Sequence, residues 1–231
     1  YYSLKQMNTV KSKLMDAESK ARKLFHETVK RDWIIPGISE DDLSKKIHGL
    51  AFEMFKTKTH WHKRIVRSGK NTLLPYSKNP PNRILSEDDI LFFDFGPVFE
   101  QWEADLGRTY VLGADPKKIQ LKKDVEECWH IGKKFFDSKD SITGAELYSY
   151  ICKLAEDRSW DFGNEHCGHL IGKFPHERIQ GEKILNYIHP ENHTPMNAPD
   201  KNGNARDWIL EIHFIDTKQK IGGFFEQVLT F

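Results

Sequence analysis

Cysteine is scarce: Cys128, Cys152 and Cys167 are the only three in 231 residues, and no two form a Cys-x-x-Cys pair. An odd, widely spaced set argues against a disulfide framework and suits a reducing compartment, so a cytoplasmic location is expected. Net charge is also nearly absent, since 35 Lys and Arg against 34 Asp and Glu leave a formal +1. That balance gives no electrostatic reason to expect nucleic acid or a membrane surface as partner. A peptide or small molecule is the expected ligand. No uncharged apolar run reaches membrane-spanning length, and the first residues read as a charged helix rather than a signal peptide.

Apolar residues at helical spacing predict four helices. From Ser3 to Arg31, the residues Leu14, Ala17, Ala21, Leu24 and Phe25 form one stripe. Pro36-Gly37 breaks the chain. Ser39 then reads as an N-cap, with Glu40 to Asp42 in the first turn and Leu43, Ile47, Leu50, Ala51 and Phe55 on a buried face. Two more helices are expected over Pro116 to Phe136 and Gly144 to Asp157. Arg64 to Arg67 and Ile90 to Phe95 read as strands, the second apolar enough to be covered on both faces. Short strands separated by Gly and Pro follow Trp160, and His189 to Asp207 is an irregular loop by composition. No repeat or compositional shift marks a boundary, so residues 1–231 read as one α+β domain.

Five ionisable residues interrupt the apolar, strand-like segments: Asp94, Asp105, His169, Glu211 and Glu226. A lone charge in such a place is costly unless it is paired or bound to a cation. Four carboxylates and an imidazole suit two divalent ions that activate water. A hairpin centred on Phe99-Glu100 would set Asp94 directly opposite Asp105, where like charges repel unless cations bridge them. His176 lies seven residues after His169 in Gly168-His-Leu-Ile-Gly-Lys-Phe-Pro-His-Glu177, and His213 shares a strand face with Glu211. In Thr59-His-Trp-His-Lys63, strand geometry would send the rings of His60 and His62 to one face.

In this order and spacing, the segments from Thr57 onward resemble the pita-bread metallopeptidases: methionine aminopeptidase, aminopeptidase P, prolidase and creatinase. The Asp-Leu-Gly-Arg-Thr run ending at Thr109 is similar to the aminopeptidase P and prolidase branch. The resemblance implies a curved antiparallel sheet covered by helices and a dinuclear metal-dependent hydrolase, of Xaa-Pro aminopeptidase type. It implies that Asp94 chelates one ion, that Asp105 and Glu226 bridge both, and that His169 and Glu211 complete the second. Glu211 would also carry a proton and His176 would contact the scissile carbonyl. Manganese is the expected metal, with Co, Zn or Fe compatible with the same donors. A homodimer stays open.

The substrate contacts depart from the resemblance. Asn71-Thr-Leu-Leu-Pro-Tyr-Ser77 has Pro75 or Tyr76 where the family carries a histidine, Phe224 replaces an arginine, and Glu211-Ile-His213 replaces Glu-Pro-Gly. His62, Tyr76, His213 and Phe224 are therefore the candidate substrate-binding residues; His189 and His193 could replace the missing imidazole, although each reads more readily as a solvated loop histidine. Residues 1–231 are expected to lack the extra N-terminal domain of aminopeptidase P and prolidase, for which they leave no room. Two alternatives remain: a creatinase-like hydrolase of a small non-peptide C–N compound, and a non-catalytic binding protein on the same fold.

Overall fold

A computed structural model of the chain describes residues 4–176 and 183–231, so Glu177 of the histidine motif lies outside the described residues. Helix α1 (Leu4–Lys30) and helix α2 (Glu40–Phe55) form where the apolar spacing predicts them. Ser39 caps α2, its Oγ accepting from the Asp42 amide at 3.1 Å, and Leu43, Ile47, Leu50 and Ala51 are buried. Strands β1 (Ile65–Ser68), β2 (Ile90–Phe95), β3 (Val98–Phe99), β4 (Trp102–Glu103) and β5 (Leu106–Val111) follow. Helix α3 (Pro116–Asp137) starts with Pro116 after the Asp115 cap, and α4 (Gly144–Glu156) opens with a Thr143/Glu146 capping box. Strands β6 (Asp161–Phe162), β7 (Leu170–Ile171), β8 (Asp207–Asp216) and β9 (Ile221–Val228) complete the chain.

The main sheet runs β1-β2-β5-β9-β8-β6, with β7 also on β8, and its neighbours are antiparallel. Alternation along the strands then divides its faces. Leu91, Phe93 and Phe95 of β2 pack with Leu24, Phe25, Leu43 and Ile47 of α1 and α2. Leu210, Ile212 and Phe214 of β8 pack with Leu121, Val125 and Trp129 of α3 and Ile151 of α4. The opposite face carries Phe92, Phe224 and Ile65 as a small apolar cluster, with Asp94 and Glu226 two residues along from the first two. Helices thus close one face, and the ionisable residues lie on the other.

The expected hairpin is displaced. Asp94 pairs with Gly107 rather than Asp105, and the small β3–β4 hairpin turns at Glu100-Gln101. Phe99 is buried and aromatic, so it stays in strand, and the turn moves to the exposed Glu100 and Gln101. Glu100 takes the left-handed backbone that the turn requires, at φ 59°.

His169 is aimed by Gly168, whose φ is +146° and whose added Cβ would lie 2.0 Å from the Ile209 carbonyl oxygen. Gly168→Ala should therefore destabilise the fold by roughly 3 kcal/mol or more, read as a fall in the urea midpoint. An unchanged midpoint would show that the backbone here is not constrained by β8.

Candidate metal centre

One row of residues crosses four strands in register: Asp94 on β2, Gly107 on β5, Glu226 on β9 and Glu211 on β8. Directly paired residues share a face, and strands are about 4.8 Å apart, so three carboxylates line up with one gap. Gly107 must be that gap, because a Cβ there would meet the Phe224 ring at 2.4 Å and Glu226 Cβ at 2.9 Å. Asp105, two residues earlier, brings the fourth carboxylate to the same place. Its Oδ2 lies 3.1 Å from His169 Nε2, which is also 3.7 Å from Glu226 Oε1. All five predicted residues therefore belong to one site. The donor atoms of Asp105, His169 and Glu226 fall within 4.8 Å of one another, as do those of His62, Asp94 and Asp105.

The carboxylates are dry, each no more than 6% exposed. Burial, with Asp105 and Glu211 opposing His62, raises the Asp94 carboxyl well above its ordinary value. Burial and the charges of Asp105 and Asp94 likewise raise Glu226. Burial also works against ionisation of Asp105, but the His62 and His169 imidazoles outweigh it and hold that carboxyl low. Such an arrangement makes it costly for all the carboxylates to ionise together away from water, a cost that a bound cation relieves. Two acceptor atoms, Glu211 Oε1 and Glu226 Oε2, are buried without a hydrogen-bond partner. Orphaned oxygens of this kind fit metal ligation.

The substrate candidates separate. Tyr76 is exposed, its ring 5.6 Å from that of His62, and its hydroxyl accepts from the Lys63 amide. Phe224 is buried against Phe92 and His213. His213 is 2% exposed and its Nε2 meets the Thr72 carbonyl at 2.8 Å, so that ring ties β8 to the 69–73 turn. His60 and His62 do not share a face. His60 packs on His48 and Phe95, whereas His62 reaches Asp105, because both precede β1 and are free of strand alternation. His193 is exposed, and the His189 ring accepts from the Glu191 amide.

Two residues carry no clear signal in the sequence. Glu103, 1% exposed, takes the His176 and Gly172 amides and sits 2.7 Å from His176 Nδ1. It thereby fixes the imidazole with Nε2 pointing away from the carboxylate. His166 Nδ1 lies 2.8 Å from Glu211 Oε1, although the alignment is not that of a hydrogen bond. Its one hint is a position three before His169.

The description "Metallopeptidase family M24" matches residues 12–202, a span holding Asp94, Asp105, His169 and His176. A putative Xaa-Pro aminopeptidase of Mycoplasma genitalium is 30% identical over 132 residues, 55% of this chain and 36% of that protein. Methionine aminopeptidase 1 of Saccharomyces cerevisiae is 25% identical over 147 residues, 61% of this chain and 37% of that protein. The chain thus spans little more than a third of the length of these relatives. Among solved structures, an X-Pro aminopeptidase from Thermotoga maritima superposes with a TM-score of 0.75 at 21% identity, covering 97% of this chain and 61% of that one. A prolidase from Thermococcus sibiricus gives 0.75 at 19%, covering 96% and 56%. The fold is therefore the α+β pita-bread fold. No helix among the described residues is long and apolar enough to cross a membrane. With most of its length matched by the family model and its acidic row set in that fold, the chain belongs to metallopeptidase family M24.

Proposed function

We propose that the chain is a hydrolase with two divalent ions, Mn first, that cleaves an amide bond next to the N-terminus of a peptide. Xaa-Pro peptides are the first substrate class, by likeness to the named relatives. The observation that carries this reading is the convergence of Asp94, Asp105, His169, Glu211 and Glu226, with unpartnered oxygens on both glutamates. Asp94, Asp105 and Glu226 would hold one ion, and Asp105, Glu226, His169 and Glu211 the other. When bound, such ions lower the pKa of water and polarise a carbonyl.

The chain's own groups do the rest. Glu211 takes the proton of the attacking water and delivers it to the departing amine. His176, its Nδ1 held by Glu103, donates from Nε2 to the oxygen of the tetrahedral intermediate. Buried Phe92 and Phe224 beside the carboxylates keep the neighbourhood poor in water. Glu103→Gln should lower kcat roughly 10–100-fold with KM little changed, because it loosens a positioning contact and removes no donor to the substrate. A change confined to KM would count against that role.

The reading is tested by metal analysis and by hydrolysis of Xaa-Pro dipeptides, longer Xaa-Pro peptides and Met-initiated peptides. Metal-loaded protein that cleaves none of them overturns the peptidase assignment. Cleavage of a small C–N compound such as creatine would redirect it to a creatinase-like activity.

A further inference from the structure

We propose that His62 is a sixth protein ligand, completing the ion site at Asp94 and Asp105 so that each half of the centre has one imidazole. This rests on the dinuclear reading above. His62 Nε2 lies 3.0 Å from Asp105 Oδ1 and 3.5 Å from Asp94 Oδ1. Two donors each ~2.1 Å from a shared ion, at angles of about 90–110°, are ~3.0–3.4 Å apart. The observed separations suit a common ion.

The parallel with His169 is close. His169 Nδ1 meets the carbonyl of Leu170 at 2.9 Å, and its Nε2 faces Asp105 Oδ2. His62 Nδ1 meets the carbonyl of Lys63 at 2.7 Å, and its Nε2 faces Asp105 Oδ1. In each case the carbonyl of the next residue accepts the Nδ1 proton, which leaves the Nε2 lone pair for an ion. The two oxygens of Asp105 are thus each matched to one imidazole. The space is also built: a Cβ on Gly96 would lie 2.3 Å from the His62 ring and 2.4 Å from Trp61 Nε1. Only 7% of the His62 side chain is exposed. His62 enters the site from the chain just before β1.

Mn2+ titration of metal-free protein by calorimetry, with metal content by mass spectrometry, tests this on the native chain and on His62→Ala. The native chain should bind two equivalents, and the variant should bind one of them at least ~100-fold more weakly. X-ray absorption on the loaded native chain removes the dependence on a well-folded variant. It should report on average one imidazole per ion, against one for every two ions if His62 stays outside. Unchanged binding by the variant with the lower imidazole count overturns this inference and leaves the proposed function standing. A native chain that binds one Mn2+ only overturns this inference together with the dinuclear part of the proposed function. A native chain that binds none overturns both.

Discussion

Asp105→Asn should abolish hydrolysis and weaken Mn2+ binding by at least ~100-fold, the largest effect expected of any single substitution in the centre. Among the described residues, Asp105 is the one carboxylate whose two oxygens face two imidazoles, His62 at 3.0 Å and His169 at 3.1 Å. An amide supplies a single neutral oxygen, and its NH2 cannot ligate, so one side of the bridge is lost and the other weakened. The same change removes the anion that, against the cost of burial, holds both imidazoles in their charged form when no metal is present. Metal content, calorimetry and initial rates read the result, with far-UV circular dichroism to show that the sheet has formed. Full metal loading in the variant would sink the assignment of Asp105 as a ligand shared by both ions.

Glu211→Gln should lower kcat by about 10²–10⁴-fold, the range for loss of a general base or acid. Glutamine keeps an oxygen for an ion but accepts no proton from the attacking water. The surroundings of Glu211 suit proton transfer. It is 5% exposed, stands opposite Glu226 in the β8–β9 register, and its Oε1 has no hydrogen-bond partner. The imidazole of His166 lies 2.8 Å from that oxygen. Metal loading and kcat measured on the same preparation separate ligation from proton transfer. A variant with reduced loading but unchanged kcat per metal-loaded molecule would leave Glu211 as a ligand only.

Much of this candidate centre was readable in the chain because each proposed ligand interrupts a local pattern. Asp94 ends the apolar run Ile90-Leu-Phe-Phe93, and Glu211 and Glu226 stand among bulky residues that alternate at strand period. The helices were legible for a similar reason: an N-cap serine before an acidic turn and a 3.6-residue apolar stripe leave few alternatives over α2. Glu103 was not legible. Its partners, Gly172 and His176, are separated from it by about seventy residues and meet it only when the segment after β7 folds onto β4. Nor was the turn at Glu100-Gln101, since local sequence says little about which of two adjacent pairs takes φ > 0 when burial of Phe99 decides it.

The sequence by itself determined the fold class, the identity of the five clustered acidic and imidazole groups, and the placing of Asp94, Glu211 and Glu226 on strands, because periodicity and charge in apolar surroundings are local properties. The tertiary structure alone decided register, and with it the row Asp94–Gly107–Glu226–Glu211, since cross-strand pairing is set by how both faces of a sheet are packed. It also decided that His62 and His60 part company, because residues outside a strand are free of its alternation and go where cavities and carboxylates draw them.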